Sequence, residues 1–326
     1  MSQDRVDPGE VRFFSGSSHP KLAGDIAAYL GLPLESTLIT RFSNDDLYIQ
    51  LGASVRSRKV FIVQSLCAPV NDHLVELFMM LDIARSAGAT EVHAIIPYFS
   101  FARSDKKDAP RISITARLVA DLLQTSGATH VMTMMLHSPQ VHGFFSVPTD
   151  PLSARPIFRH FFSQEDLSGT IVVSPDMGHA HSAARFAREL GLPVIAGNKE
   201  RISDTEVVIS GLVKEQLQGC RRALLYDDEI ATGGSMLETA RYLVGLGVEE
   251  IAVACTHGVF TRDALSRLEA VPEISLIVAS DTIPTPEDVP HPKLKVLSVA
   301  PIFAEAIKAN YFRQSIGPLF AYSEDK

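Results

Sequence analysis

The sequence predicts an α/β protein in two domains, each a mainly parallel sheet flanked by helices. Three observations predict it. Short apolar runs alternate with amphipathic stretches from end to end, the pattern of strands and helices in a parallel or mixed sheet. The 326 residues exceed what one core ordinarily holds, so two domains of roughly 150 residues are expected. Strand-loop-helix units also recur on both sides of a Pro-containing stretch at 150–155, although no sequence repeat is readable.

In the first half, the runs at 60–65, 92–98 and 131–136 read as strands and the stretches 70–87 and 112–124 as helices. In the second half, 171–175, 194–196, 223–227, 251–256 and 276–280 read as strands and 235–246 as a helix. The pattern at 300–310 is helical and long enough to fold back onto the first half. The expected domains are therefore 1–152, joined by about 300–326, and 153–299. In such sheets functional residues gather where strands end.

Hydrophobic residues make up 46% and charged residues 21%, values of a soluble globular chain and not of a disordered or fibrous one. The 30 basic and 38 acidic side chains leave a net charge of −8. Neither nucleic acid nor a membrane surface is an expected partner, and an anionic ligand must be held locally. Cys67, Cys220 and Cys255 are odd in number and form no CxxC pattern, which fits a reduced, cytoplasmic setting. Residues 1–10 are polar, and no run reaches the roughly 18 apolar residues of a spanning helix.

The clearest chemistry lies between 223 and 235. An apolar strand delivers Asp227 and Asp228, and Thr232-Gly233-Gly234-Ser235 then opens a helix. Free N–H groups at a helix start, with two hydroxyls, make an anion site, and the glycines let the backbone approach a phosphate closely. Two carboxylates would spoil a simple phosphate cup. They make sense holding the hydroxyls of a sugar, or a metal ion, beside it. An acidic turn that merely caps the helix is the plainer alternative.

Other signals are weaker in isolation. His137 closes an apolar strand, where a structural histidine is the ordinary reading. His179 and His181 hint at a transition-metal site, but no third ligand identifies itself and they read as loop. Lys199 and Arg201 follow the strand 194–196 and, one residue apart in an extended segment, share a side; exposed charge is the usual reading of such a tetrapeptide. The stretch from Phe101 to Arg111 alternates charge and contains a proline, which marks a mobile loop.

The loop from Asp227 to Ser235 resembles the ribose-phosphate loop of the phosphoribosyltransferase fold, which transferases and pyrophosphokinases share. Further segments separate the two. They are Phe14-Ser15-Gly16-Ser17-Ser18, Arg41 through Asp46, Gln64-Ser65 with Pro69-Val70-Asn71-Asp72-His73, Ile96 through Asp105, and Leu136-His137-Ser138-Pro139-Gln140 with Gly143-Phe144-Phe145. Ser174-Pro175-Asp176, Thr256-His257-Gly258, Asp281-Thr282-Ile283-Pro284 and Leu297 through Pro301 complete the series. In this order and spacing, from about residue 12 to Phe320, the chain is similar to ribose-phosphate pyrophosphokinases.

The resemblance implies two tandem phosphoribosyltransferase-like domains and a Mg2+-dependent transfer of diphosphate from ATP to the anomeric hydroxyl of ribose 5-phosphate. It implies that Phe42, Asn44 and Asp46 grip adenine from a neighbouring subunit, in a homo-oligomer built from dimers, up to a hexamer. Arg103, Ser104, Asp105 and Asp108 would belong to the lid over ATP, and His137 and Asp176 would approach the magnesium-nucleotide complex. Lys199 and Arg201 would be catalytic. Asp227 and Asp228 would take the ribose hydroxyls, and Ala231, Thr232, Gly233, Gly234 and Ser235 the 5-phosphate.

Three departures from the family pattern stand out. Ser104 replaces a common Gln, Ala231 a frequent third Asp, and His179-Ala180-His181-Ser182 a Gly followed by a Lys-Arg pair. They keep open a non-catalytic regulatory partner of an active synthetase. A phosphoribosyltransferase would share the sugar-phosphate loop but would need a base-binding hood and no adenine loop.

Overall fold

The computed structural model describes residues 5–201, 207–210, 214–217, 219–285 and 290–320, with the side chains of 198–201, 207–210 and 214 outside the described set. The chain divides into two compact units. Met1–Ala154, Thr282–Pro284 and Ser298–Lys326 form the first, and Arg155–Asp281 with Thr285–Leu297 the second. The division falls two residues past the expected 152: β7 (Thr149–Leu152) closes the first sheet, and the Ser153 N–H beyond it still bonds the Leu319 carbonyl of the same unit at 3.0 Å. Its Pro151 is tolerated there because an edge strand does not need every N–H. Thr282–Pro284, expected in the second domain, belongs to the first; Ser65 Oγ donates to the Thr282 carbonyl at 2.6 Å.

The first unit runs β1 (Val11–Ser15), α1 (Pro20–Leu30), β2 (Thr37–Arg41), β3 (Leu47–Leu51), β4 (Lys59–Val63), α2 (Val70–Ser86), β5 (Glu91–Ile96), α3 (Thr115–Ser126), β6 (His130–Met134) and β7. Its sheet is parallel throughout, in the order β1-β4-β5-β6-β7. Val60, Phe61, Ile62 and Val63 are all buried, the continuous apolar run of a strand covered on both faces. β2 and β3 form a separate antiparallel hairpin. Helix α3 starts three residues later than its apolar pattern suggests, because Ile112 and Ser113 are exposed and Ser104 Oγ accepts the Thr115 N–H at 3.1 Å.

After β1, the turn at Gly16 to Ser18 opens α1, and its donors are already engaged. Glu76 of α2 takes the Ser17 N–H at 2.5 Å and the Ser17 hydroxyl at 2.7 Å. Gln64 takes the N–H and hydroxyl of Ser18 at 3.1 and 2.6 Å. A Cβ on Gly16 would collide with both acceptor side chains.

The second unit runs α4 (Arg155–Phe162), β8 (Thr170–Ser174), α5 (Ala180–Leu190), β9 (Val194–Ala196), β10 (Asn198–Arg201), β11 (Val207–Ser210), β12 (Arg222–Ile230), α6 (Gly234–Gly245), β13 (Glu250–Gly258), α7 (Ala264–Glu269), β14 (Ile274–Ser280) and β15 (Leu294–Leu297). Its parallel sheet has the order β15-β14-β13-β12-β8-β9, and β10 and β11 pair antiparallel. The strand expected to end at 227 continues to Ile230. Sheet pairing overrides the poor strand propensity of its acidic residues, since Asp227, Glu229 and Ile230 stay in register with Cys255, His257 and Gly258 of β13.

The chain then returns to the first unit as α8 (Ala300–Tyr311), with Pro301 in its first turn where proline suits a helix start. Helix α8 packs on α1 and buries Ile302, Phe303 and Ile307. Asn310 Nδ2 lies 3.1 Å from His130 Nδ1, and His130 Nε2 lies 2.7 Å from Asp150 Oδ2.

Candidate active site

In the second unit the central strand β12 and the start of α6 build one loop. Asp227 and Asp228 lie on the strand itself, with side chains 15% and 5% exposed. Asp227 Oδ1 accepts the Asp228 N–H at 2.9 Å. Burial first, and then the charge of Asp228, push the Asp227 carboxyl well above the usual carboxylate range. Two such carboxylates side by side call for a partner that donates hydrogen bonds or carries positive charge.

Ala231 and Thr232 lead into Gly233, which caps α6 at φ 73° with no side-chain capping bond. That left-handed conformation suits glycine. The first N–H groups of the helix have no intrahelical acceptor, and the Ile230 and Ala231 carbonyls are drawn away, accepting the N–H groups of Phe260 and Thr261 at 3.0 Å each. The loop therefore offers donors at its helix end. Thr232 is exposed, Gly234 and Ser235 are half-buried, and the arrangement suits a phosphate.

His179 stands at the N-cap of α5 with its N–H on Asp176 Oδ1 at 3.0 Å. Its Nδ1 lies 3.9 Å from Asp227 Oδ1 and 4.0 Å from Asp228 Oδ1. The loop reading of the two histidines holds for neither as expected: His179 caps a helix and His181 lies in its first turn, because the helix starts directly at Ala180. Asp176, two residues beyond β8, is half-buried, and its carbonyl accepts the Ser174 hydroxyl at 2.8 Å.

In the first unit, Phe42, Asn44 and Asp46 cluster at the tip of the β2–β3 hairpin. Phe42 is 57% exposed and meets Tyr48 edge to face at 5.6 Å. Asn44 Nδ2 donates to Asp46 Oδ2 at 2.5 Å. Arg41 fixes the tip, reaching Asp45 Oδ1 at 3.1 Å and Asp72 Oδ1 of α2 at 3.2 Å, and both carboxylates raise its pKa, Asp45 most.

Arg103, Asp105 and Asp108 lie on the segment between β5 and α3, with Arg103 and Asp108 exposed and Asp105 half-buried. Ser104 is different. Its hydroxyl accepts from Thr115 N and donates to the Ser113 carbonyl at 3.2 Å, so it closes the segment onto α3. His137 is exposed three residues beyond β6. Lys199 and Arg201 belong to β10, opposite Ile209 and Val207 of β11; their side chains lie outside the described residues.

Phe260, which no sequence signal singled out, braces the loop through its N–H on Ile230. Its backbone φ of 40° is a strained value for a non-glycine residue, and its ring fills the space beside Gly258. The Thr256-His257-Gly258 segment was the available hint.

A parallel sheet whose central strand hands an acidic pair to a glycine-capped helix start defines a phosphoribosyltransferase-like α/β protein. Residues 11–127 match the family described as the N-terminal domain of ribose phosphate pyrophosphokinase, and residues 207–321 the phosphoribosyl synthetase-associated domain. A Streptomyces coelicolor protein is 50% identical over 311 residues, 95% of this chain and 98% of its own length. Ribose-phosphate pyrophosphokinases from Deinococcus radiodurans and Wolinella succinogenes are 44% and 42% identical, covering 94% and 95% of this chain and 97% and 98% of theirs. The crystal structure of phosphoribosylpyrophosphate synthetase from Mycobacterium smegmatis superposes with a TM-score of 0.84 at 34% identity, covering 93% of this chain and 99% of that one. The chain belongs to the ribose-phosphate pyrophosphokinase family.

Proposed function

We propose that this enzyme transfers the β,γ-diphosphoryl group of ATP to the anomeric hydroxyl of ribose 5-phosphate, giving phosphoribosyl pyrophosphate and AMP. The observation that carries the reading is the acidic pair on β12 followed by the glycine-capped start of α6. Thr232, Gly233, Gly234 and Ser235 hold the 5-phosphate on backbone N–H groups and hydroxyls. Ala231 leaves room without adding a third carboxylate. Asp227 and Asp228 orient the sugar through its hydroxyls.

On the nucleotide side, Phe42 offers an exposed aromatic face to adenine, with Asn44 and Asp46 beside it. Such stacking is worth about 1–3 kcal/mol by analogy with base-aromatic contacts. Arg103, Asp105 and Asp108 cover the phosphates from their loop, and Ser104 supports that loop instead of touching nucleotide. The reaction needs positioning and charge stabilisation more than covalent help. Lys199 and Arg201 supply the charge, alternate residues of one strand facing the β-phosphoryl oxygens.

His137 and Asp176, each just beyond a strand, offer one imidazole nitrogen and one carboxylate. Either donor suits Mg2+, which takes few protein ligands and completes its coordination with phosphate oxygens and water. Bound there, the ion would neutralise phosphate charge and align the nucleotide.

A dimer-based homo-oligomer that shares its nucleotide site is part of the proposal, since the exposed Phe42 needs a partner surface. No helix among the described residues is long and apolar enough to cross a membrane. Three free cysteines, Cys67 and Cys255 buried, support a cytoplasmic setting. The test is AMP release from ATP, measured with and without ribose 5-phosphate in the presence of Mg2+. Ribose-5-phosphate-dependent AMP is expected; its absence from folded protein overturns the reading.

A further inference from the structure

A cavity of about 300 Å3 lies in the second unit at the start of β12, the end opposite to Asp227 and Asp228. Five residues of extended strand, roughly 16 Å, separate Arg222 in its wall from Asp227. Leu224, Ala252 and Leu276 stand in register across β12, β13 and β14 and give the cavity an apolar floor. Ala252 makes the hollow. Its single methyl group between two leucines leaves the centre of the row unfilled, and Ala252 and Leu276 are only half-buried although their strands are interior to the sheet. Such positions in a parallel sheet are ordinarily covered. Phe162 and Leu167 complete the apolar wall, and the volume is at the lower end of the roughly 300–1,000 Å3 of small-molecule sites.

Two residues earlier on β12 and β13, hence on the same face, the floor gives way to charge. Arg222 and Glu250 are register partners, and Arg222 Nε lies 3.0 Å from Glu250 Oε2. Arg222 Nη1 donates to Asp166 Oδ2 and to the Asp166 carbonyl, each at 3.0 Å. The other oxygen of Glu250 accepts the Ser275 hydroxyl at 2.9 Å. The one basic residue in the lining is thus neutralised in place, and an anion finds no free positive charge there. Glu165 completes the rim, with no side-chain partner among the described residues. Three carboxylates against one guanidinium leave the lining with a charge of −2.

We propose that this cavity binds a small organic monocation, its aromatic or branched apolar body on Leu224, Ala252 and Leu276 and its ammonium group at Glu165. Burial of the apolar body supplies the attraction, and the acidic rim selects the charge. None of these residues belongs to the sugar-phosphate loop or to the nucleotide side, so the site stands apart from the pyrophosphokinase reading and is tested without substrates.

The chain contains no tryptophan, so the fluorescence of an indole probe excited beyond the tyrosine band is the probe's own. Full-length protein is titrated into tryptamine and, separately, into indole-3-propionate, which carries the same ring and the opposite charge, and anisotropy is followed. Tryptamine should saturate at one per chain and bind at least about threefold more tightly than the anion. Ala252→Leu fills the floor and should remove saturable tryptamine binding. Glu165 is exposed and holds no other side chain, so Glu165→Lys serves even if Ala252→Leu fails to fold; it should weaken tryptamine at least about threefold and abolish the preference for the cation. The site is overturned by any of four results: no saturable tryptamine binding, no preference between the probes, undiminished binding in folded Ala252→Leu, or a preference that Glu165→Lys leaves intact.

Discussion

Phe260 occupies the space that a side chain at Gly258 would need: a Cβ there would stand 3.0 Å from Cδ2 and Cζ of the ring and closer still to Cε2. The ring is buried and cannot swing into solvent. Gly258→Ala should therefore displace Phe260 and weaken its N–H bond to Ile230. The expected cost is about 1–3 kcal/mol, read as a lower melting temperature, with weaker ribose 5-phosphate binding. A variant with unchanged melting and unchanged affinity would show that Phe260 does not brace the loop.

Gly234→Asp separates fold from cradle. A Cβ at 234 meets only Thr232 Oγ1, at 3.7 Å, so the substitution is sterically mild, yet it puts a carboxylate at the helix start proposed to hold phosphate. Ribose 5-phosphate affinity should fall at least about tenfold with melting temperature nearly unchanged. Calorimetric titration checks it, and retained affinity would move the phosphate elsewhere.

Lys199→Ala should act on the transition state. Turnover is expected to drop about 10²–10⁵-fold, the range for losing one charge-stabilising donor in phosphoryl or acyl transfer. ATP affinity should change far less. If ATP binding collapses while turnover at saturation survives, Lys199 is a binding residue.

A shared nucleotide site predicts complementation. Phe42→Ala with Asp46→Ala in one chain, and Lys199→Ala in another, should each be inactive, and mixing them should restore some activity through hybrid sites. Subunit exchange verified by mass, without recovered activity, would place Phe42 and Lys199 in separate functions.

Acid should destabilise the first unit through His93 and Glu91. Burial holds the His93 pKa below its ordinary value, so as pH falls below about 6.5 the unfolded chain binds a proton that the folded chain refuses. Stability then declines by up to about 1.4 kcal/mol per pH unit from this group. Glu91, hydrogen-bonded by His93 and paired with Lys59, is held down at about 2. Its contribution is fully present above its unfolded pKa and is lost as pH falls below that value and through about 2. His93→Phe, which can still stack on Phe61 where the imidazole now lies 4.4 Å away, should flatten the arm just below pH 6.5 in urea melts. An unchanged slope would assign the acid sensitivity to other groups.

What the sequence made legible follows from burial and contiguity. Strands such as β4 and β13 announce themselves because both faces are covered and the apolar run is nearly unbroken. The β2–β3 hairpin gives no such signal, since Leu38, Phe42 and Tyr48 are exposed and its alternation separates no clear inside from outside. The acidic pair and glycine turn were readable because they are consecutive, although the length of β12 was not, being set by its neighbour β13. His179 could not be joined to Asp227 and Asp228 from spacing, because β8 and β12 become neighbours only in the sheet. The bonds of the Ser104 hydroxyl to Ser113 and Thr115, nine and eleven residues on, have no local signal, since they form only when the intervening loop closes onto α3.

The first unit also follows a strand with a serine-rich turn and a helix start, at Gly16 through Pro20. There Glu76 takes both donors of Ser17, and a buried carboxylate of the protein itself stands where an incoming anion would bind. A plan repeated twice along the chain is thus read out once. One cradle is closed from within and serves as architecture, the other keeps its donors at the start of α6, and under the proposed function the expected stoichiometry is a single sugar phosphate for each polypeptide.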